Sequence, residues 1–446
     1  MMTNFKVTRQ TPVLVRPARP TPHEMKPLSD IDDQEALRFQ VSDILFYKTT
    51  FLNNDHGVKE KDPAEIIKSA LAETLVFYYP FAGRLREGPG RKLMVDCTGE
   101  GVLFIEADAD VTLEEFGKEI RPPFPCMDEL LFNVPGSDGI LHTPLLLIQV
   151  TRLRCGGFIF ALRLNHTMSD AVGIVQFLMA LSEIARGAST PSILPVWKRE
   201  LMNARNPPKI TYPHHEYDHI VPNPIDSDNL VYKTFFFGPE EIFSLRSYLP
   251  LHLRNKCSKF EVITACVWRC RVNALQLDPD QEVRVLYYVD ARPKFDPPLP
   301  KGYYGNVLVT PVARTTAGKL TENPLEFAME LVMKAKSEVT EEYMKSNADL
   351  IVMGGRRPNV EKLSSSIFLV ADLTRVGFDE VDFGWGKPVF VGLAIGDMQE
   401  IHMVSSNYLP SVNKKGEKGI LVTICLPELA MKKFVQLIEM TVKRIE

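Results

Sequence analysis

The sequence has no block of lysine and arginine, and its 446 residues carry a formal net charge of −4. That removes the basic footprint nucleic-acid binding needs. No run approaches the ~18 apolar residues of a membrane span. The first twenty residues, MMTNFKVTRQTPVLVRPARP, hold no apolar stretch of signal-peptide length, and TVKRIE at the other end carries no retention or peroxisomal address. Seven cysteines, an odd number, follow no framework, which fits reduced thiols. A soluble, cytosolic chain without nucleic-acid or membrane partners is the expectation.

Several catalytic signatures are missing as well. There is no Walker phosphate loop and no G-x-S-x-G elbow; PGSDG at Pro135 has proline where the first glycine belongs. DFG at Asp382–Gly384 stands without the glycine-rich loop, strand lysine and H-R-D of a kinase. HEYDH, His215 to His219, spells a zinc-protease motif, but Pro213 and Pro222 bracket it and no helical apolar stripe surrounds it. It reads as a polar loop, and no metal is expected. Cys266 and Cys270 lack two further ligands and read as small core residues.

What is present is a core-forming composition, 45% hydrophobic, at a length suited to two domains. Strand-like and helical patterns mix throughout, giving an α/β or α+β class. GGFIFALRLN (Gly156–Asn165) predicts a buried strand. From Ser169 the apolar residues Val172, Val175, Phe177, Leu178, Leu181 and Ile184 recur at helical spacing until Gly187. His166 therefore falls at a strand-to-helix junction, with Asp170 at the helix start. Alone, each has a plain reading: a packed strand-end histidine and a helix-start acid. Seven prolines between Gly187 and Asp226 argue against long elements there. The expected division is a first domain over 1–187, a Pro-rich crossover linker over 188–228 and a second domain over 229–446. In the latter LVYKTFFF reads as a strand, and helices are expected near Pro239–Leu249 and Phe260–Leu275.

HTMSD (His166–Asp170) and DFGWG (Asp382–Gly386), in that order, resemble the signature pair of the plant BAHD acyltransferases, enzymes that use coenzyme A thioesters. LSDIDDQ at Leu28, YYPFAGRL at Tyr78, CSKFEVITACVWRCR at Cys257, VDARPKF at Val289 and GYYGN at Gly302 extend the likeness almost end to end. Within the family, RPARPTPHEMKPLSDIDDQ, PFAGRLREGPGRKLMVDCTGEGVLF and TRVGFDEVDFGWG are similar to the alcohol acyltransferases that make volatile esters, including benzyl alcohol benzoyltransferases. Val307 after YYGN departs from the anthocyanin branch, which has cysteine there.

The resemblance implies two chloramphenicol-acetyltransferase-like sheet-and-helix domains with a channel between them, and a crossover segment near 368–388. It implies acyl-CoA and a small alcohol as substrates, no permanently bound cofactor, a monomer, and direct attack without an acyl-enzyme. A neutral hydroxyl is a poor nucleophile, so a base must take its proton, and His166 suits that task. Asp170 is expected to pair with Arg292 and brace the His166 turn rather than form a catalytic dyad. Asp382, Gly384, Trp385 and Gly386 are expected to pack, strand-like, away from the acyl carbon. Asn306 is the candidate oxyanion donor. Ser258 and Lys259 are candidate coenzyme A contacts, or an ordinary helix start. Other donors (hydroxycinnamoyl, anthraniloyl) with other acceptors, and a scaffold without turnover, are the competing readings. Arg375 is the residue that could favour an acidic acceptor such as shikimate.

Overall fold

The computed structural model describes residues 5–49, 62–117, 120–219, 229–354, 364–394 and 404–442. It is built on two large mixed sheets, each backed by helices. In the first sheet the strand Phe158–Asn165 lies between Gln40–Tyr47 and Leu146–Leu153, antiparallel to both. Every residue of that strand except Arg163 is buried, because both faces are covered. Phe158, Phe160, Leu162 and Leu164 enter a core shared with the helices Pro63–Phe77 and Ala171–Ala185. Ile159 and Ala161 point into a second core, with Ile44 and Phe46. This is the period-2 alternation of a strand with two apolar faces.

The second sheet runs in the order Leu230–Phe237, Lys418–Pro427, Ser405–Val412, Ile367–Asp372, Glu282–Tyr287, Val312–Thr316. The helices Lys259–Leu275, Leu325–Ser337 and Glu428–Val442 share its core. Cys266 and Cys270 sit buried there, and none of the seven cysteines is disulfide-bonded. Leu409 and Leu421 of this sheet reach into the core holding Ile44, Phe46 and Ile159, so one apolar cluster joins the two halves. No helix among the described residues is long and apolar enough to cross a membrane.

One boundary differs from expectation. The segment expected to cross over near 368–388 begins too early, since Ile367–Asp372 is an interior strand of the second sheet, parallel to both neighbours. The chain leaves that sheet after Asp372. Phe390–Leu393 then pairs antiparallel with Gln40–Tyr47 at the edge of the first sheet. The stretch read as a linker is firmly docked over its described part, 188–219; residues 220–228 lie outside the described residues. Val196 bridges to Tyr303. Arg205 Nε donates to Asp349 Oδ2 at 2.6 Å on the helix Glu341–Met353.

Candidate active site

The strand carrying His166 ends because Asn165 turns the chain. Its side-chain oxygen accepts from Thr167 N at 3.3 Å and from Thr167 Oγ1 at 2.8 Å. A single 3₁₀ turn, His166–Met168, follows. Asp170 is then the N-cap of the helix Ala171–Ala185, with its carboxylate accepting from Gly173 N at 3.0 Å. Gly173 is required here, since a Cβ would stand 2.2 Å from the carbonyl oxygen of Tyr304.

His166 is held by its backbone on both sides. Its N–H donates to Phe39 O at 2.9 Å, and its carbonyl accepts from Asn306 Nδ2 at 3.0 Å. The imidazole, half-buried, lies 5.1 Å from the Phe39 ring centre. Nδ1 is shut off from solvent without a hydrogen-bond partner. Burial lowers the imidazole pKa from its ordinary value; its own carbonyl, Asp170, Asn306 and Asp32 oppose this only in part. The neutral form of the ring is thereby favoured.

Asp170 is engaged elsewhere. Oδ1 also accepts from Arg292 Nη2 at 2.9 Å, and Oδ2 accepts from Val307 N at 2.9 Å. Arg292 in turn donates to Asp290 at 3.0 Å and to Gly305 O at 2.6 Å. The carboxylate thus ties the His166 turn to the 289–309 segment of the second half.

A second buried pair, absent from the sequence reading, lies under the same turn. Arg199 Nη1 is 3.0 Å from both oxygens of Asp32, and its Nη2 donates to Met168 O at 2.8 Å. Both side chains are almost wholly buried, and Trp197 and Tyr304 cover the guanidinium at 4.5 and 4.9 Å. Asp32 Oδ1 also takes Asn306 N and Nδ2, each at 2.9 Å. Asn306 therefore spends both amide hydrogens on Asp32 and on the His166 carbonyl. None is left for an oxyanion, so the oxyanion expectation for Asn306 fails on donor count.

DFGWG is remote from His166. Phe383 packs 5.1 Å from Phe160 and Trp385 5.4 Å from Phe158, by ring centres. His166 stands six residues beyond Phe160, roughly 20 Å along the strand. Arg186, at the far end of the Asp170 helix, donates to the Asp382 carbonyl. The expected strand-like packing is corrected to a tight turn. Asp382 Oδ1 accepts from Gly384 N at 2.7 Å and Gly386 N at 2.9 Å, and both glycines have positive φ, 109° and 88°.

Ser258 caps the helix Lys259–Leu275: its Oγ accepts from Glu261 N at 3.2 Å while Ser258 N donates to Glu261 Oε2 at 2.7 Å. Lys259 is exposed on the first turn. In HEYDH, only His215–Tyr217 forms a 3₁₀ turn, and His215 has Nδ1 2.7 Å from Asp218 and Nε2 3.1 Å from Arg314. Among the described residues no group of three metal-ligating side chains converges.

Comparison with known proteins agrees with this architecture. The model of the Transferase family matches residues 5–441. The chain is 62% identical to a benzyl alcohol O-benzoyltransferase of Nicotiana tabacum, over 97% of this chain and 93% of that protein. It is 53% identical to alcohol acyltransferase 1 of Actinidia deliciosa, over 96% and 92%. In fold it resembles vinorine synthase (TM-score 0.72, 22% identity, 98% of this chain and 100% of that one). It also resembles F. graminearum TRI101, solved with coenzyme A and T-2 mycotoxin (TM-score 0.68, 16% identity, 92% and 96%). With a strand-end histidine, a braced helix-start aspartate and a full-length family match, the chain belongs to the BAHD acyltransferases of the Transferase family, acyl-CoA-dependent enzymes.

Proposed function

We propose that this protein transfers an acyl group from acyl-CoA to a small alcohol, giving an ester and free coenzyme A. Benzyl alcohol and aliphatic alcohols are the acceptors, and benzoyl-CoA or a short-chain acyl-CoA is the donor. The observation that carries the mechanism is the His166 turn. Both backbone groups of the histidine are pinned, Nδ1 is sealed, and burial keeps the ring neutral. That leaves Nε2 to meet substrate.

In a ternary complex, within a channel between the two halves, Nε2 takes the hydroxyl proton as the alcohol oxygen bonds to the thioester carbon. The tetrahedral adduct expels the thiolate, which recovers the proton from the imidazolium. The thioester is already activated, so no acyl-enzyme is needed. Asp170, Arg292 and Asp382 act as supports, and Lys259 as a phosphate contact for coenzyme A. The enzyme works as a cytosolic monomer.

Two features support the substrate class. The relatives reported above at 62% and 53% identity are named for benzyl alcohol and alcohol acylation. Arg375 is exposed, so its cation stays hydrated rather than waiting in a dry site for an acidic acceptor. The test is kcat/KM for benzyl alcohol, a short aliphatic alcohol and shikimate, each with benzoyl-, acetyl- and coumaroyl-CoA, beside His166→Ala. Benzyl alcohol with benzoyl- or acetyl-CoA is expected to lead. His166→Ala is expected to lose about 10²- to 10⁴-fold with the fold intact. Shikimate with coumaroyl-CoA as the best pair overturns the substrate class, and more than a tenth of wild-type activity in His166→Ala overturns the base.

A further inference from the structure

Two buried polar atoms at the His166 turn lack a hydrogen-bond partner. His166 Nδ1 is buried without a partner, and so is Asn306 Oδ1. The side chains are neighbours, because Asn306 Nδ2 donates to the His166 carbonyl at 3.0 Å. The orientation of the carboxamide is fixed by what surrounds it. Nδ2 faces two acceptors, the Asp32 carboxylate at 2.9 Å and that carbonyl. A flipped amide would set its oxygen against both. Oδ1 is thus an acceptor with nothing to accept, and a buried orphan of this kind is costly unless it is paired.

We infer that Asn306 is a positioning residue whose carboxamide oxygen takes the Nδ1–H of His166 and so holds the imidazole in the tautomer that leaves the Nε2 lone pair to the substrate hydroxyl. The opposite tautomer would leave both buried atoms as acceptors without a donor. After the His166 carbonyl and the Asp170 charge, Asn306 is also one of the groups that oppose the effect of burial on the ring. The oxygen is held in turn: Arg199 clamps Asp32, and Asp32 takes the Asn306 backbone N–H and one amide hydrogen. A carboxylate commonly orients a base histidine. Here Asp170 turns its oxygens to Gly173, Arg292 and Val307 instead, and a neutral amide in its place fixes the ring without holding it protonated.

This inference rests on His166 being the base, but its main readout does not. Full-length protein with ¹⁵N-labelled histidine, with His166 assigned by its loss in His166→Ala, reports the tautomer directly. We expect neutral His166 to carry its proton on Nδ1 in the wild type, and the folded Asn306→Ala variant to shift toward the Nε2–H form or a mixture. In turnover, Asn306→Ala is expected to lose about 10- to 100-fold in kcat while KM for alcohol and donor stays within about threefold. A merely structural role would change thermal stability and KM without changing the tautomer. An Nε2–H tautomer in the wild type overturns the inference even if no variant folds. So does an unchanged Nδ1–H tautomer in folded Asn306→Ala. Absence of turnover in a wild type that shows the Nδ1–H tautomer instead counts against the proposed function alone.

Discussion

Replacing Asp170 with asparagine separates a bracing role from a catalytic dyad. Asp170 is 1% exposed, and its two oxygens take three N–H groups, from Gly173, Arg292 and Val307. An asparagine can keep its oxygen toward Gly173 and Arg292, but it then turns an NH₂ toward the Val307 N–H. The charge opposite a half-buried Arg292 also disappears. Breaking a buried pair typically costs about 3–5 kcal/mol, mostly from the charge left behind. Arg292 keeps Asp290 at 3.0 Å, a partner that is itself 33% exposed, so the lower end, about 3 kcal/mol, is expected. For a half of this chain, treated as a domain of ordinary size, that lowers Tm by roughly 6–12 °C. Arg292→Gln should fall by a similar amount, and the double variant by less than the sum, since the pair is already broken. Differential scanning calorimetry on the four proteins, with kcat measured in parallel, is the assay. A wild-type Tm for Asp170→Asn with turnover abolished, and strict additivity in the double variant, would refute the brace and restore the dyad.

Three further outcomes follow from the same geometry. Because burial lowers the His166 pKa and the proposed base is the neutral ring, activity should be lost as pH falls through that pKa. The acid limb of kcat/KM should therefore lie below the ordinary ~6.5; a limb at 7 or above contradicts it. Asp382→Ala removes the acceptor of two turn N–H groups some 20 Å from His166, so a stability loss of about 1–3 kcal/mol is expected with kcat within about threefold. A hundredfold fall in kcat at unchanged Tm would show the motif to be catalytic. Asp43 lies 5% exposed opposite Leu162, and burial pushes its carboxyl from 3.8 up to about 7. Its penalty is absent below pH ~3.8, grows between there and 7, and is full above; it corresponds to roughly 4 kcal/mol. Asp43→Asn should therefore stabilise the protein far more at pH 8 than at pH 4.5 in urea unfolding, and an equal gain at both would refute this.

The His166 turn was legible because two periodicities meet there: strand alternation stops at Asn165 and helical spacing begins within a few residues. The Asp170–Arg292 pair came from resemblance and not from any pattern in the chain. Arg199 and Asp32 were invisible for a physical reason. They are 167 residues apart, neither sits on a periodic element, and Arg199 lies in the Pro-rich stretch that reads as a connector. IFLVAD misled in the opposite way, since an apolar run announces a buried strand without saying in which sheet it is buried. Asn306 was given a task its engaged amide hydrogens do not allow, because sequence does not count which hydrogens are already engaged.

The two signature motifs act on one lever from opposite ends. The strand that delivers His166 starts at Phe158 against Trp385, and the helix that starts on Asp170 ends where Arg186 meets Asp382. The neighbouring strand Gln40–Tyr47, preceded by the Phe39 carbonyl that holds the His166 N–H, is capped at its far end as well. The Tyr47 hydroxyl donates to Val381 O at 2.9 Å, and Phe390 pairs with Phe46. Strand, helix and neighbouring strand all converge on His166, and all three are tied at their other ends by the single stretch 381–393. A packed interior transmits displacement rather than absorbing it. Loosening DFGWG should therefore reach His166 as a small error in ring position and as lost stability, not as a missing chemical group. That accounts for a motif pair roughly 20 Å apart serving one site.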